Sequence, residues 1–119
     1  MNRDDATLLD IARAATLVHE FVADLSPEAF RNDPKTYSAV QHQLLVLGKA
    51  VKRLSRGFRA QHPEIPWSLV AGMRDHLIHG YDTVDLDAVW MTATPDIPEL
   101  IVQIPLLISE LGRPPDLDE

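Results

Sequence analysis

Residues 33–58 have the sequence DPKTYSAVQHQLLVLGKAVKRLSRGF, in which apolar residues recur every three or four positions. This spacing places them on one face of an α-helix and predicts that the face is buried. Asp33 and Pro34 supply an N-cap and a proline at the first helical position, so we expect the helix to begin there. We expect it to end near Gly57. The members of its apolar stripe are Val40, Leu44, Leu47, Val51, Leu54 and Phe58.

The same periodicity predicts helices on both sides of this segment. Long helices are expected over residues 4–25, 67–79 and 96–111, and shorter ones over residues 26–31 and after Asp85. No stretch alternates polar and apolar residues over the length of a strand. The fold class is therefore predicted to be all-α, and the short connections favour an antiparallel helical bundle.

The composition indicates one globular domain. The chain has 119 residues, of which 45% are hydrophobic and 24% are charged. We assign residues 1–111 to a single helical domain and residues 112–119 to a polar tail. The absence of cysteine excludes a disulfide scaffold, a thiolate metal site and a cysteine nucleophile. No apolar run approaches the roughly 18 residues of a membrane span, and residues 1–5 are polar, so a cytoplasmic protein is expected.

Charge is unevenly distributed along the chain. The net charge is −7, yet residues 34–63 contain six lysine and arginine residues and no acidic residue. Four of these cations fall opposite the apolar stripe of the predicted helix. They are Lys49, Lys52, Arg53 and Arg56. Such a face is either a solvated helix surface or a surface that follows the phosphates of RNA, and both interpretations stay open.

Some apolar residues lie outside the predicted buried stripes. Leu45 and Val46 share the side of the cationic face one turn earlier, and Leu17 and Phe21 lie beyond the main stripe of the first helix. Excess apolar surface on a small bundle often marks self-association, so we expect copies of this chain to associate.

The densest polar cluster has the sequence RDHLIHGY, residues 74–81, at the end of a predicted core helix. His76 and His79 could share a helical face as metal ligands, but no third or fourth ligand follows at a familiar spacing, so we predict no metal site. Asp75 lies four residues before His79, where its carboxylate can orient the imidazole and favour its charged form.

The combination of Arg74 with His79 suggests phosphoryl chemistry. A guanidinium holds a phosphate through paired donors, and an imidazole moves protons near neutral pH. The simplest such reaction is RNA cleavage, in which a base takes the 2′-hydroxyl proton, the oxygen attacks the adjacent phosphate and a cation stabilises the transition state. The alternative is a helix-terminal histidine favoured by the helix dipole, beside a surface arginine.

The spacing Arg74-x4-His79-x-Tyr81 resembles the Arg-x4-His-x-Tyr signature of HEPN domains. Flanking motifs strengthen the likeness, and residues 3–111 as a whole resemble the HepT-like branch, the toxins encoded beside MNT-type minimal nucleotidyltransferases. The flanking motifs include Asp33-Pro34-Lys35, Leu47-Gly48, Ile65-Pro66-Trp67, Ala71-Gly72-Met73 and Val89-Trp90.

This resemblance implies an all-helical homodimer that cuts RNA, commonly tRNA, without a metal or another cofactor. Its two pairs of Arg74 and His79 would line a shared cleft, with Arg74 holding the scissile phosphate and His79 transferring protons. Asp75 would orient the site. Tyr81 would be the residue that a partner nucleotidyltransferase antitoxin modifies with AMP, which would place bulk and negative charge where RNA must enter.

One position departs from the family pattern. Lys49 stands where many members have glutamate, so the sequence is Gly-Lys-Ala rather than Gly-Glu-Ala. The lysine adds to the cationic face. Any role of the acid in orienting the site or contacting the partner is therefore in doubt for this chain.

The spacing of the two proposed catalytic residues has a geometric consequence. Arg74 and His79 are five residues apart, which on a regular helix separates them by about 140°. One helix cannot comfortably close both around one phosphate, so we expect two copies of this helix to build the site, with Gly80 allowing the helix end to unwind.

A non-catalytic helical adaptor, which binds nucleotides or docks a nucleotidyltransferase, is the competing interpretation. The intact signature from Arg74 to Tyr81 favours the nuclease. The net charge of −7 slightly favours the adaptor, because a nuclease gains from a broad positive field. A plain dimeric bundle would explain the apolar stripes but not the cluster at residues 74–81.

Overall fold

The computed structural model describes residues 3–80 and 84–111, which form helices joined by short connections. No strand occurs in these two ranges, and the predicted all-α class is confirmed. None of their helices is both long and apolar enough to cross a lipid bilayer. Tyr81 and the predicted tail, residues 112–119, lie outside the described residues. The α-helices are α1 (Arg3–Val22), α2 (Pro27–Arg31), α3 (Pro34–Arg53), α4 (Arg56–Gln61), α5 (Trp67–His79), α6 (Leu86–Met91) and α7 (Ile97–Leu111).

The four longest helices pack around one apolar core. α1 lies against α3 and α7, and α3 in turn packs against α5. The apolar stripe predicted within residues 33–58 is buried throughout. This packing places α5, which carries residues 74–79, directly beside α3. Other core residues are Leu8, Ile11 and Val18 of α1, Val70 and Leu77 of α5, and Ile97, Leu100 and Ile104 of α7.

The third helix is shorter than predicted. It ends at Arg53 rather than near Gly57, because the backbone of Leu54 is extended and a separate helix begins after Ser55. The predicted boundary was therefore wrong. Arg56 belongs to α4, and the four cations predicted on one helical face are divided between two helices.

Ser55 is the cause of this break. Its hydroxyl oxygen accepts a hydrogen bond from the backbone N–H of Phe58 at 3.2 Å, which caps α4. Its own backbone N–H and hydroxyl donate to the carboxylate of Asp4, in the first turn of α1, at 3.3 and 3.0 Å. A residue 51 positions away in the sequence thus helps to end α3.

The short helix predicted after Asp85 and the helix predicted from residue 96 are parts of one helical run. α6 passes directly into α7 through a π-helical turn, Thr92–Asp96, which contains Pro95. Pro95 has no N–H to donate to the preceding turn, and the wider π-helical turn accommodates the missing bond. The hydroxyl of Thr94 donates to a backbone carbonyl four residues earlier at 2.9 Å and stabilises the same turn.

Candidate active site

Arg74 lies where α5 passes close to α3. Gly48 of α3 is buried at this point, and a Cβ added to it would overlap the Cβ of Arg74. Because Cβ is fixed to the backbone, no rotation of the arginine side chain could relieve the overlap. Glycine at position 48 therefore allows the two helices to approach, and it positions Arg74 beside α3 with 27% of its side chain exposed.

Asp75 connects Arg74 to a lysine of α3. Lys52 Nζ lies 2.5 Å from Asp75 Oδ1, and Arg74 Nη1 lies 3.6 Å from the same oxygen. The hydrogen bond from Lys52 is the main cause that lowers the pKa of Asp75; the charges of Lys52, Arg74 and His79 lower it further, and desolvation opposes them. Asp75 is therefore ionised at neutral pH; it accepts a hydrogen bond from Lys52 and lies within ion-pair distance of Arg74 where α3 meets α5.

His79 is the last residue of α5, and its side chain is exposed. The helix continues without interruption to this residue, and the backbone N–H of Gly80 donates to the carbonyl of His76 at 3.0 Å. The helix ends at Gly80, its C-cap, and any unwinding after Gly80 concerns residues 81–83, which lie outside the described residues. Arg74 and His79 therefore keep the separation of about 140° that regular helical geometry gives them.

Carboxylates partly neutralise the predicted cationic face. Lys52 is paired with Asp75, and Arg53 Nη2 lies 3.2 Å from Asp10 Oδ2 on α1. Within the described ranges Lys49 has no carboxylate partner, and it lines the same groove as Arg74. Arg56, on α4, has no carboxylate partner in these ranges either, but it does not line this groove.

A groove of about 270 Å³ separates the outer surfaces of α3 and α5. Arg74 and Lys49 give it positive charge, whereas Val46 and Ile78, which are 38% and 42% exposed, give it an apolar wall. Sequence reasoning missed this groove, although the i, i+3, i+4, i+7 spacing of four of its residues on α3 indicates one helical face. The full lining is His42, Leu45, Val46, Lys49, Arg74 and Ile78.

Apolar residues predicted to lie outside the core meet next to this groove. Leu17 of α1 and Val46 of α3 line a second groove of about 180 Å³ between their helices. Leu17 also lines a larger groove of about 450 Å³ along α1, which contains none of the predicted catalytic residues. Val46 borders both the α1–α3 groove and the groove of Arg74. A partner seated on this face would therefore reach the edge of the candidate site.

His76 and His79 are both exposed in the last turn of α5. No three histidine or carboxylate side chains are arranged to hold a metal ion in the part of the chain that the structure describes. The two histidines gain no third ligand from those residues.

The sequence matches a family model described as ribonuclease HepT-like over residues 11–107. The matched range contains both helices of the Arg74 groove, α3 and α5. It also contains Gly48, Lys52, Asp75 and His79, so the site described above lies entirely within it.

Curated relatives cover most of this chain. A protein named probable ribonuclease HepT, from Thermococcus cleftensis, is 45% identical over 93 residues, which are 78% of this chain and 84% of the relative. A provisionally named RNase of Caldanaerobacter subterraneus subsp. tengcongensis is 40% identical over 76% of this chain and 81% of its own length. Another, from Methanocaldococcus jannaschii, is 39% identical over 89% of this chain and 91% of its own length. No solved structure matches the chain at a significant level.

Proposed function

Because the chain belongs to the HepT-like ribonuclease family, we propose that it is an endoribonuclease whose catalytic residues are Arg74 and His79. The observation that carries the proposal is the arrangement of Lys52, Asp75 and Arg74, which holds a guanidinium beside a groove open to solvent. A guanidinium that is already oriented can hold a phosphate through paired hydrogen bonds with little further loss of conformational freedom. Asp75 is the residue that positions it.

The proposed reaction uses the 2′-hydroxyl of RNA as its nucleophile. His79 accepts the 2′-hydroxyl proton while the 2′-oxygen attacks the adjacent phosphorus, and Arg74 stabilises the charge on the phosphate oxygens. The bond from phosphorus to the 5′-oxygen breaks, and that oxygen takes a proton from a protonated imidazole or from water. The products are a 2′,3′-cyclic phosphate and a 5′-hydroxyl end. This route requires no metal ion, and DNA cannot follow it.

Two copies of the chain are proposed to build the site together. The uninterrupted α5 supports this, because a second copy can bring its His79 opposite the Arg74 of the first. The apolar surface around Leu17, which lies beside the groove and does not line it, gives such a homodimer an area to bury.

The nuclease is further proposed to act in the cytoplasm as the toxin of a toxin–antitoxin pair, with tRNA as its substrate. Its antitoxin would be an MNT-type nucleotidyltransferase that attaches AMP to Tyr81. Tyr81 follows His79 by two residues in the sequence, which supports the idea that the added phosphates repel RNA from the site.

Cleavage of RNA by the purified protein tests the proposed chemistry. Arg74→Ala and His79→Ala are each expected to lower the rate by about a hundredfold or more, because each removes a group that acts in the transition state. His76→Ala is the matched control, since it removes an exposed histidine from the same helical turn. Full activity in either catalytic variant, or products without a cyclic phosphate, would contradict the proposal.

Expression in cells tests the toxin role. We expect induction of the wild type to arrest growth and shorten tRNA, and both effects to vanish in Arg74→Ala and His79→Ala. Co-expression with a nucleotidyltransferase encoded beside it should add AMP to the intact mass of the protein, whereas Tyr81→Phe should stay unmodified and escape neutralisation. Equal toxicity in all variants would contradict this role.

A non-catalytic adaptor is the second candidate function. The pairing of Lys52 and Arg53 with carboxylates favours it, because fewer free cations remain to attract RNA. An adaptor would bind nucleotides or the nucleotidyltransferase and leave RNA uncut in the same cleavage assay.

A further inference from the structure

The groove between α3 and α5 combines positive charge with an apolar wall. Arg74 and Lys49 supply two cations, while Leu45, Val46 and Ile78 present aliphatic carbon. A ligand that fits this groove has an anionic group, which pairs with the cations, next to a flat group whose weakly polar faces pack against the aliphatic carbon. In RNA that unit is a phosphate and its neighbouring base.

We infer that this groove binds one unpaired base of the RNA, beside the phosphate that Arg74 holds, and that Lys49 contacts an adjoining phosphate. The inference rests on the proposed ribonuclease function. The aliphatic wall and the imidazole of His42 can pack against the face of a base, which is how proteins bind single-stranded nucleic acid with little dependence on base identity. The volume of about 270 Å³ suits one nucleotide rather than several.

Of the three α3 cations predicted to contact RNA, Lys49 is the one that is available for this contact. Among the side chains of residues 4–80 and 84–108, Lys52 is engaged by Asp75 and Arg53 by Asp10, whereas no carboxylate pairs with Lys49. An ammonium group without a partner binds a phosphate without first losing an ion pair. Lys49 therefore supplies a cation where the RNA would run.

Binding in this groove has a consequence for the form of the substrate. A base that lies between two protein helices cannot remain paired and stacked in a duplex, and extracting it from a duplex costs free energy. We expect the protein to bind and cut an unpaired segment and to cut the same sequence much more slowly when it is fully paired.

Filling the groove tests the inference. Binding of a fluorescently labelled single-stranded RNA is measured by anisotropy in the His79→Ala background, where the RNA is not cut. Val46→Trp fills the groove from a partly exposed position, and Leu69→Trp is the control because Leu69 is exposed on α5 and does not line the groove. We expect Val46→Trp to weaken binding about tenfold or more and Leu69→Trp to leave it unchanged. Equal affinities of the two variants overturn the inference.

Removing the lysine gives a second measurement that does not depend on packing. Lys49 is exposed, so Lys49→Ala should fold normally. We expect Lys49→Ala to weaken RNA binding several-fold. The slope of log affinity against log salt concentration, which counts the counterions that RNA releases on binding, should fall by about one ion. Lys35→Ala, at an exposed position outside the groove, should change neither quantity. Identical salt dependence in the two lysine variants contradicts the role of Lys49.

Two further results distinguish base binding from a contact between subunits and from catalysis. If Val46→Trp dissociates a dimer while Lys49→Ala binds RNA normally, the groove is a contact between copies of the chain and the inference is wrong. A wild type that cuts no RNA, but loses RNA binding on Val46→Trp, contradicts the nuclease and supports the base site. If the wild type cuts RNA but Val46→Trp binds RNA normally, the nuclease is supported and the base site is contradicted.

Discussion

Asp75 is the residue on which the geometry of the candidate site depends. One of its oxygens bonds Lys52 of α3 and lies 3.6 Å from the guanidinium of Arg74 on α5. A single carboxylate thus joins the two helices and lies within ion-pair distance of the proposed phosphate-binding group. This gives Lys52 a positioning role besides the RNA contact that its spacing predicts.

Removal of this carboxylate is expected to impair catalysis more than binding. Asp75→Asn should lower kcat by about ten- to a hundredfold with a small change in KM, because Arg74 stays present but less well oriented. Lys52→Met should act in the same direction, and the double variant should be little worse than either single one. Asp10→Asn, which breaks the comparable exposed pair with Arg53, is the control and should keep its activity. Additive losses in steady-state kinetics would contradict this coupling.

The lowered pKa of Asp75 predicts how the pair with Lys52 responds to acid. The hydrogen bond from Lys52 and the nearby positive charges place the pKa of Asp75 below its ordinary value of 3.8. A carboxyl group of this kind adds stability that is present above its ordinary pKa and is lost as the pH falls through the folded-state value. Lys52 and Arg74, which cause most of the lowering by charge and hydrogen bonding, stay charged from about pH 8 to about pH 5. The difference in unfolding free energy between wild type and Asp75→Asn should therefore change little over this range and be lost only at lower pH. Urea denaturation at several pH values measures it, and a change between pH 5 and 8 would assign the effect to another group.

At the scale of the elements, the contact between α3 and α5 depends on Gly48. Alanine is the better helix former by about 1 kcal/mol, but overpacking of a close contact costs about 1–3 kcal/mol. At this position the added Cβ would overlap the Cβ of Arg74, which cannot move without its helix. The overlap is therefore expected to outweigh the gain in helix propensity.

Gly48→Ala should lower the free energy of unfolding by about 1–2 kcal/mol and slow RNA cleavage by displacing Arg74. Gly57→Ala is the matched control, because no atom lies within 4 Å of a Cβ added there and the residue is also helical. We expect that control to be neutral or slightly stabilising in urea denaturation. Similar effects of the two substitutions would show that the α3–α5 contact does not require glycine.

The junction between α3 and α4 gives a second prediction at this scale. Ser55→Ala removes the cap of α4 and the hydrogen bond from the hydroxyl to Asp4, while the bond from its backbone N–H can remain. It should therefore cost more than the roughly 0.5–2 kcal/mol of a cap alone. Ser26→Ala is the comparison, because Ser26 caps α2 through one bond to the N–H of Ala29. If urea denaturation shows that Ser26→Ala loses as much free energy of unfolding as Ser55→Ala or more, the contact with Asp4 adds no stability.

The elements also show what one sequence can and cannot predict. The apolar spacing predicts the buried stripe of residues 33–58, because burial depends on period and composition rather than on where a helix ends. The end of α3 could not be predicted, since it depends on a contact from Ser55 to distant Asp4. The residue types at positions 74–79 locate the candidate site. The Lys52–Asp75 pair and the groove could not be predicted, because they arise only when α3 packs against α5.

At the scale of the whole molecule, the protein does not present a broad positive field to RNA. The chain has a net charge of −7, and Asp10 and Asp75 neutralise two cations of the basic segment, residues 34–63. Among the four cations predicted to contact RNA, this leaves Lys49 on α3, next to Arg74, and Arg56 on α4 without a carboxylate partner in the described ranges. RNA would therefore be held by a small number of contacts at the groove rather than steered by a broad positive field.

The proposed dimer is also a property of the whole molecule. One copy of the chain directs Arg74 toward α3 and exposes His79 at the helix end, and the proposed site would join the two residues across two copies. If each site takes Arg74 from one copy and His79 from the other, an Arg74→Ala subunit and a His79→Ala subunit together form one intact site.

RNA cleavage by a mixture of the two inactive variants tests this claim most directly. Purified Arg74→Ala and His79→Ala are combined, subunit exchange is verified by native mass spectrometry, and the rate is compared with that of the wild type. Random exchange predicts recovery of about a quarter of the wild-type activity, because about half of the dimers are mixed and each has one complete site. A mixture that forms mixed dimers and stays inactive, beside a wild type that cuts the same RNA, would contradict the account.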